Sequence, residues 1–127
     1  MRLGAIVLDS NNSQELSTFY AKLLGWTKYM HGEEWIIVSK DSGEGLQLVF
    51  QEIAEYERPL WPAETGSQQQ MLHLDFYVDD MEIGVQHALS CGAALSPVQL
   101  EDHWRVMLDP AGHPFCILPN DLPSTNS

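Results

Sequence analysis

The sequence predicts an α+β fold in which a βαβββ module occurs twice, the pair forming a curved, mixed-sheet cup. Three observations carry that expectation. Each half of the 127-residue chain holds one helical apolar stripe, opened by a polar cap and closed by a glycine. Short β-rich runs surround each stripe in the same order, and several residues recur at matching places. A repeated order of elements marks a duplicated supersecondary unit.

The first half opens with an apolar run over residues 3–8, read as a strand. The polar cluster Asp9-Ser10-Asn11-Asn12 ends that strand and caps a helix. From Ser13 to Leu24, Leu16, Phe19, Tyr20, Leu23 and Leu24 recur at helical spacing, and Gly25 stands where a helix stops. Trp26 to Met30 forms a strand. Trp35-Ile36-Ile37-Val38, rich in β-formers, and Leu46 to Ile53 form a hairpin about the turn Asp41-Ser42-Gly43-Glu44-Gly45.

Residues 55–70, with Pro59, Pro62, Gly66 and a run of glutamines, read as a linker or long loop. The pattern then restarts. Leu72 to Val78 alternates, setting His73, Asp75 and Tyr77 on one face and Leu74, Phe76 and Val78 on the other. Asp79-Asp80 caps a helix from Met81 to Cys91, which Gly92 ends. Ala94–Val98 is a weak strand, Trp104–Leu108 a stronger one, Asp109–Pro114 a turn and Phe115–Leu118 the last strand. The half-modules are thus 1–54 and 71–118 of one domain, 1–120, with a frayed polar tail over 121–127.

Recurring residues support the duplication. Val7 matches Val78, Asp9 Asp80, Ala21 Ala88, Gly25 Gly92, Trp35 Trp104 and Gly43 Gly112. Each half has one apolar sheet face to bury under its helix and one mixed polar and aromatic face. Two such mixed faces can line a cleft, the kind of surface that small ligands use.

Composition narrows the function. A formal net charge of −12 argues against a nucleic-acid backbone and an anionic membrane as partners; it reads first as solubility, and it suits a cationic ligand. No apolar run is long enough to span a bilayer, and no signal peptide is evident, so a cytoplasmic protein is expected. Cys91 and Cys116 show no metal or disulfide spacing and read as reduced thiols.

The repeat, together with Phe19-Tyr20…Leu23-Leu24-Gly25, His73-Leu74-Asp75-Phe76-Tyr77-Val78-Asp79-Asp80 and Asp109-Pro110-Ala111-Gly112-His113-Pro114-Phe115, resembles the vicinal oxygen chelate superfamily. That group includes glyoxalase I, bleomycin-resistance proteins, fosfomycin-resistance enzymes and extradiol dioxygenases. The likeness is strongest to small bacterial glyoxalase-like domain proteins, and it implies a homodimer. Fold alone does not assign a reaction.

The resemblance also implies four metal-ligand positions, one on the first and one on the last strand of each half. The repeat puts them at Arg2, Gln47, His73 and Cys116. Arg2 offers no lone pair, so no cofactor is expected; a divalent metal, disfavoured, would use His73 and Gln47. His73 is a candidate general base with Asp75 two residues along the same strand face, and a polar lining residue is the other reading of it. Gln47, Gln51, Tyr77, Trp35, Trp104 and Cys116 are candidate ligand-binding residues. Trp35 and Trp104 either stack on a planar ligand or fill a core or dimer interface, and Cys116 is either a thiol nucleophile or a small core residue. His113 is read as shaping its hairpin, and Trp61 sits in the loop that either covers the cup or only connects the halves. The function expected is binding of a drug or metabolite. The alternatives are a lyase or isomerase using His73 and, behind it, a metal-dependent glyoxalase or dioxygenase.

Overall fold

Asn12 and Asp80 set where the two helices begin. Each side chain accepts a hydrogen bond from a backbone N–H three residues on, Glu15 and Ile83 respectively, satisfying a donor that the first helical turn leaves unpaired. Gly25 and Gly92 end the same helices at φ +68° and +120°, and their N–H groups reach back to the carbonyls of Ala21 and Ala88. In the computed structural model, which describes residues 1–31, 35–40 and 45–120, the chain divides into two units, Met1–Glu57 and a second from Arg58 onward.

The first unit runs β1 (Ala5–Ser10), α1 (Ser13–Leu24), β2 (Thr27–His31), β3 (Trp35–Ser39) and β4 (Gln47–Glu52). Its sheet order is β1-β4-β3-β2, with β1 parallel to β4 and the other pairs antiparallel. The second unit runs β5 (Leu74–Val78), α2 (Met81–Cys91), β6 (Ala94–Leu95), β7 (Arg105–Leu108) and β8 (Pro114–Pro119), in the order β5-β8-β7-β6. Both are βαβββ modules. The expected strand over 94–98 shrinks to two residues, because Ser96 turns its hydroxyl onto the backbone of Val98. The first strand begins at Ala5, not residue 3. Most of the turn at 41–45 and the tail at 121–127 lie outside the described residues.

In the first unit the core lies between α1 and the sheet. Leu8, Leu16, Phe19, Tyr20, Ile36, Val38, Leu48 and Phe50 are buried, and Tyr20 packs on Phe50 at 5.9 Å between ring centres. In the second, Phe76 meets Phe115 edge to face at 5.6 Å, and Ala88, Met107 and Ile117 are buried. There α2 lies close on the sheet: a Cβ at Gly84 would come within 3.0 Å of Val78.

The sequence match between the halves needs one correction. Two residues separate each first strand from its helix, Asn11-Asn12 in one unit and Asp79-Asp80 in the other, and Asn12 and Asp80 are the caps. Asp80 therefore corresponds to Asn12, not Asp9, and Val78 to Ser10, not Val7. By the same shift His73 corresponds to Ala5, not Arg2, and Asp75 to Val7. The ladders carry this across the sheet. Val7 pairs with Val49 and Asp75 with Cys116, so the counterpart of Cys116 is Val49 and not Gln47. The matches of Gly25 with Gly92 and of Trp35 with Trp104 stand.

Candidate functional site

The face of the second sheet turned away from α2 carries the chemistry. Alternation along β5 points Asp75 and Tyr77 to that side, and His73 just before it follows the same alternation. The ladder adds Cys116 beside Asp75 and Val106 beside Cys116. Val106, Cys116 and Leu118 form a buried apolar cluster, and Trp61 and Trp104 pack against it. Trp61 reaches it from a loop that folds on itself, where Leu60 N–H donates to the Gln68 carbonyl at 2.8 Å.

On that floor His73 Nε2 lies 3.4 Å from Asp75 Oδ1, and each side chain is 42% exposed. The His73 ring sits 6.0 Å from that of Trp61, tilted by 49°. Donor atoms of His73, Asp75 and Cys116 all lie within 4.8 Å of one another. Burial pushes the Cys116 thiol up to about 11, and the charge of Asp75 and a hydrogen bond to its carboxylate push the same way. The thiol is therefore protonated near neutrality and donates to Asp75. That removes the condition a cysteine nucleophile needs, a lowered pKa. Tyr77 stands further along β5, 61% exposed.

The structure thus brings His73, Asp75 and Cys116 together, with Trp104 against the same cluster. Gln47, Gln51 and Trp35 belong to the first unit. Gln47 donates its amide to the Tyr29 hydroxyl at 3.1 Å. Trp35 and Gln51 line a recess of about 550 Å³ that also takes in Gln14, Met30 and Glu52.

The metal positions that the resemblance implies can be tested on donor chemistry. Ala5, Val7 and Val49, the first unit's counterparts of His73, Asp75 and Cys116, carry no donor atom beyond the backbone. A ligand set drawn equally from both halves at those positions does not fit this chain.

Two residues were not singled out as functional in the sequence. Asp109, 2% exposed, accepts from the N–H groups of Ala111 and His113 through Oδ1, and its Oδ2 lies 2.7 Å from His113 Nδ1. It organises the β7–β8 turn and so fixes His113 there, as the reading of His113 expects. Arg58 donates to the Pro110 carbonyl at 2.8 Å and lies against Gly112, where φ is +90° and a Cβ would meet the guanidinium at 2.9 Å. An Asp-Pro-x-Gly turn signals the first of these locally; nothing local signals the second.

Residues 5–118 match the family model described as Glyoxalase-like domain. No curated protein matches the sequence. Solved structures similar to this chain include a glyoxalase/bleomycin resistance protein/dioxygenase family enzyme from Burkholderia phytofirmans PsJN, at TM-score 0.67 and 19% identity, covering 94% of this chain and 98% of that one. A glyoxalase-related enzyme from Fulvimarina pelagi aligns at TM-score 0.63 and 20% identity, over 94% and 88% of the two chains. The trypanothione-dependent glyoxalase I of Leishmania major aligns at 0.61 and 13%, over 94% and 86%. At these identities the likeness is one of fold.

Proposed function

Because this chain belongs to the glyoxalase-like domain family, which residues 5–118 match, we propose that it binds a small organic molecule on the outward face of its second sheet. The observation that carries this reading is the His73–Asp75 pair, 3.4 Å apart and half-exposed above an apolar floor bounded by Trp61 and Trp104. Few polar groups over an aromatic and aliphatic surface are what orient and hold a drug-sized ligand.

Asp75 and the net charge of −12 favour a cationic head group, and the indoles a flat apolar body. Tyr77 extends the surface. In the first unit, Trp35 and Gln51 are proposed to hold ligand groups in their own recess, with Gln47 as a further hydrogen-bonding contact. The ligand is a drug or metabolite of this description, and the protein works as a cytoplasmic homodimer. Among the described residues no helix is long and apolar enough to cross a membrane.

A thermal-shift screen with cationic aromatic compounds and neutral metabolites tests the reading. A ligand that prefers the native state raises Tm. The rise should shrink in both His73→Ala and Trp104→Ala. A screen with no hits, or a rise that neither substitution changes, overturns it. Light scattering checks the homodimer.

The 3.4 Å contact also supports a second reading, a lyase or isomerase in which His73 removes a proton and Asp75 orients its ring. Turnover that His73→Ala abolishes while binding persists would select it.

A further inference from the structure

We propose that the recess beside the N-terminus of α1 binds a neutral small molecule of the sugar or polyol class, with Trp35 as its stacking platform. This rests on the reading that the recess of Trp35 and Gln51 takes ligand groups, and on nothing assigned to His73 and Asp75. The recess belongs wholly to the first unit, and none of the positions that the resemblance gives to a metal lines it.

Four observations converge. The first is where the recess lies. The ladders set Met30 beside Ile36 and Ile36 beside Phe50, and the recess opens between these strand ends and the first turn of α1. Its volume of about 550 Å³ is that of a small-molecule site. The second is Ser13. It begins α1, is 5% exposed and lines the recess, yet its Oγ has no hydrogen-bond partner among the described residues. Buried hydroxyls are ordinarily paired, so this one marks a place for a group supplied from outside. The third is charge. Ser13 N–H donates to Glu52 Oε1 at 3.2 Å, so a carboxylate already holds the positive helix end where an anion would settle. Glu52 and Glu15 are offset by that helix end and by Lys28, which donates to Gln14 Oε1 at 2.8 Å. With the recess near electrical balance, neither sign of ligand charge is strongly favoured, and a charged group would shed water without a matching counter-charge. The fourth is the mix of polar groups. Glu52 accepts, Ser13 and Gln51 do either, and Gln14, whose oxygen Lys28 takes, is left to donate. A hydroxyl also does both, whereas an ammonium only donates and a carboxylate only accepts. Trp35 and Met30, 38% and 48% exposed, add an apolar wall. A pyranose or cyclitol presents the matching shape: an apolar C–H face within a rim of hydroxyls.

The experiment follows the full chain, isotope-labelled on nitrogen, by NMR while glucose, galactose and myo-inositol are titrated in turn. Each of the four tryptophans gives one indole N–H resonance, and that of Trp35 is identified by its loss in Trp35→Phe. The expected result is a saturable shift at the Trp35 indole and at the Ser13 and Gln51 amides with at least one probe, while the other three indoles stay still. Trp35→Ala should weaken that binding about tenfold or more. Ser13→Ala and Gln51→Leu should each weaken it about twofold to tenfold. Tetramethylammonium and inorganic phosphate, the charged probes, should give no saturable shift there. Shifts that stay linear with concentration for all three neutral probes overturn the proposal. So does a saturable response centred on Trp61 and Trp104, or one at Trp35 that belongs to a charged probe alone. Because shifts in the wild-type chain locate the site, the outcome does not hang on a variant that misfolds. The two readings fail separately: cationic aromatic compounds whose rise in Tm depends on His73 and Trp104 uphold binding on the second sheet whatever these titrations show.

Discussion

In the first unit β1 and β4 meet at Val7 and Val49; in the second the same rung joins Asp75 to Cys116. At this rung both ladders are parallel, and the two units differ in the side chains they carry. The difference extends along the strand. Ala5 corresponds to His73, and β4 alternates between buried and half-buried residues, whereas β8 is buried from Pro114 through Leu118. The second sheet is thus covered on both faces at its centre, by α2 on one side and by Trp61 and Trp104 on the other. A duplicated fold copies the scaffold without copying the chemistry, and the rung with polar side chains is the one beside a partly dry outer face. Low local dielectric makes each polar contact there count for more.

The helices differ in the same way, and this gives the largest expected effect. Counting from the caps, Leu16 of α1 corresponds to Gly84 of α2. Leu16 is 1% exposed and carries the first helix on its side chain. Leu16→Ala should destabilise the protein by about 2–5 kcal/mol through lost transfer energy and a residual cavity. A urea titration showing less than about 1 kcal/mol would mean that α1 can settle onto its sheet as α2 does.

The next effect is a pH dependence confined to one rung. The Cys116 thiol is raised from the ordinary 9.0 to about 11 in the folded chain. A raised folded value means that the contribution is fully present below about pH 9. It is lost as pH rises through about 11, because the unfolded chain releases its proton first. The loss is on the order of 2–3 kcal/mol over that interval. Metal-free protein should show it in urea midpoints taken between pH 8 and pH 11, measured against Cys116→Val to cancel the other groups that titrate there. Parallel curves for the two proteins would contradict it.

A smaller effect is expected at Gly84. An added Cβ meets Val78 at 3.0 and 3.1 Å and Ile117 at 3.3 Å. The crowding should outweigh the roughly 1 kcal/mol that alanine gains over glycine in a helix, leaving a net cost of about 1 kcal/mol. A stabilised Gly84→Ala would show that α2 has room to lift.

Much of the scaffold was legible because its determinants are local. Caps at Asn12 and Asp80, stops at Gly25 and Gly92, and the helical stripe ending in Leu23-Leu24 all lie within a few residues of what they control. The alternation of His73, Asp75 and Tyr77 was legible for the same reason. The rung itself was not. Residues 75 and 116 meet through a parallel pairing that no short segment encodes, and matching identical residues, Val7 with Val78, misplaced the register. For Trp61 the sequence left two readings, a cover over the cup or a mere connection, since a loop's landing place depends on the apolar cluster awaiting it. Chance identity was a poorer guide to equivalence than helix caps, which mark a physical event in the chain.

The sharpest way to break the comparison is to make the second rung like the first. The double substitution Asp75→Val, Cys116→Val writes the Val7–Val49 pair into β5 and β8. At neutral pH it should change stability by less than about 1.5 kcal/mol, since a thiol and its carboxylate partner give way to two β-branched residues suited to a sheet. The alkaline loss should vanish with the thiol. Far-ultraviolet circular dichroism and a urea midpoint at pH 7 would establish that the unit still folds. If it folds and ligands of the thermal-shift screen still raise Tm as in the wild type, the binding face lies elsewhere and the rung is packing. If it loses several kcal/mol at pH 7, the Asp75–Cys116 hydrogen bond is structural, and the polarity of this face belongs to the scaffold rather than to its function.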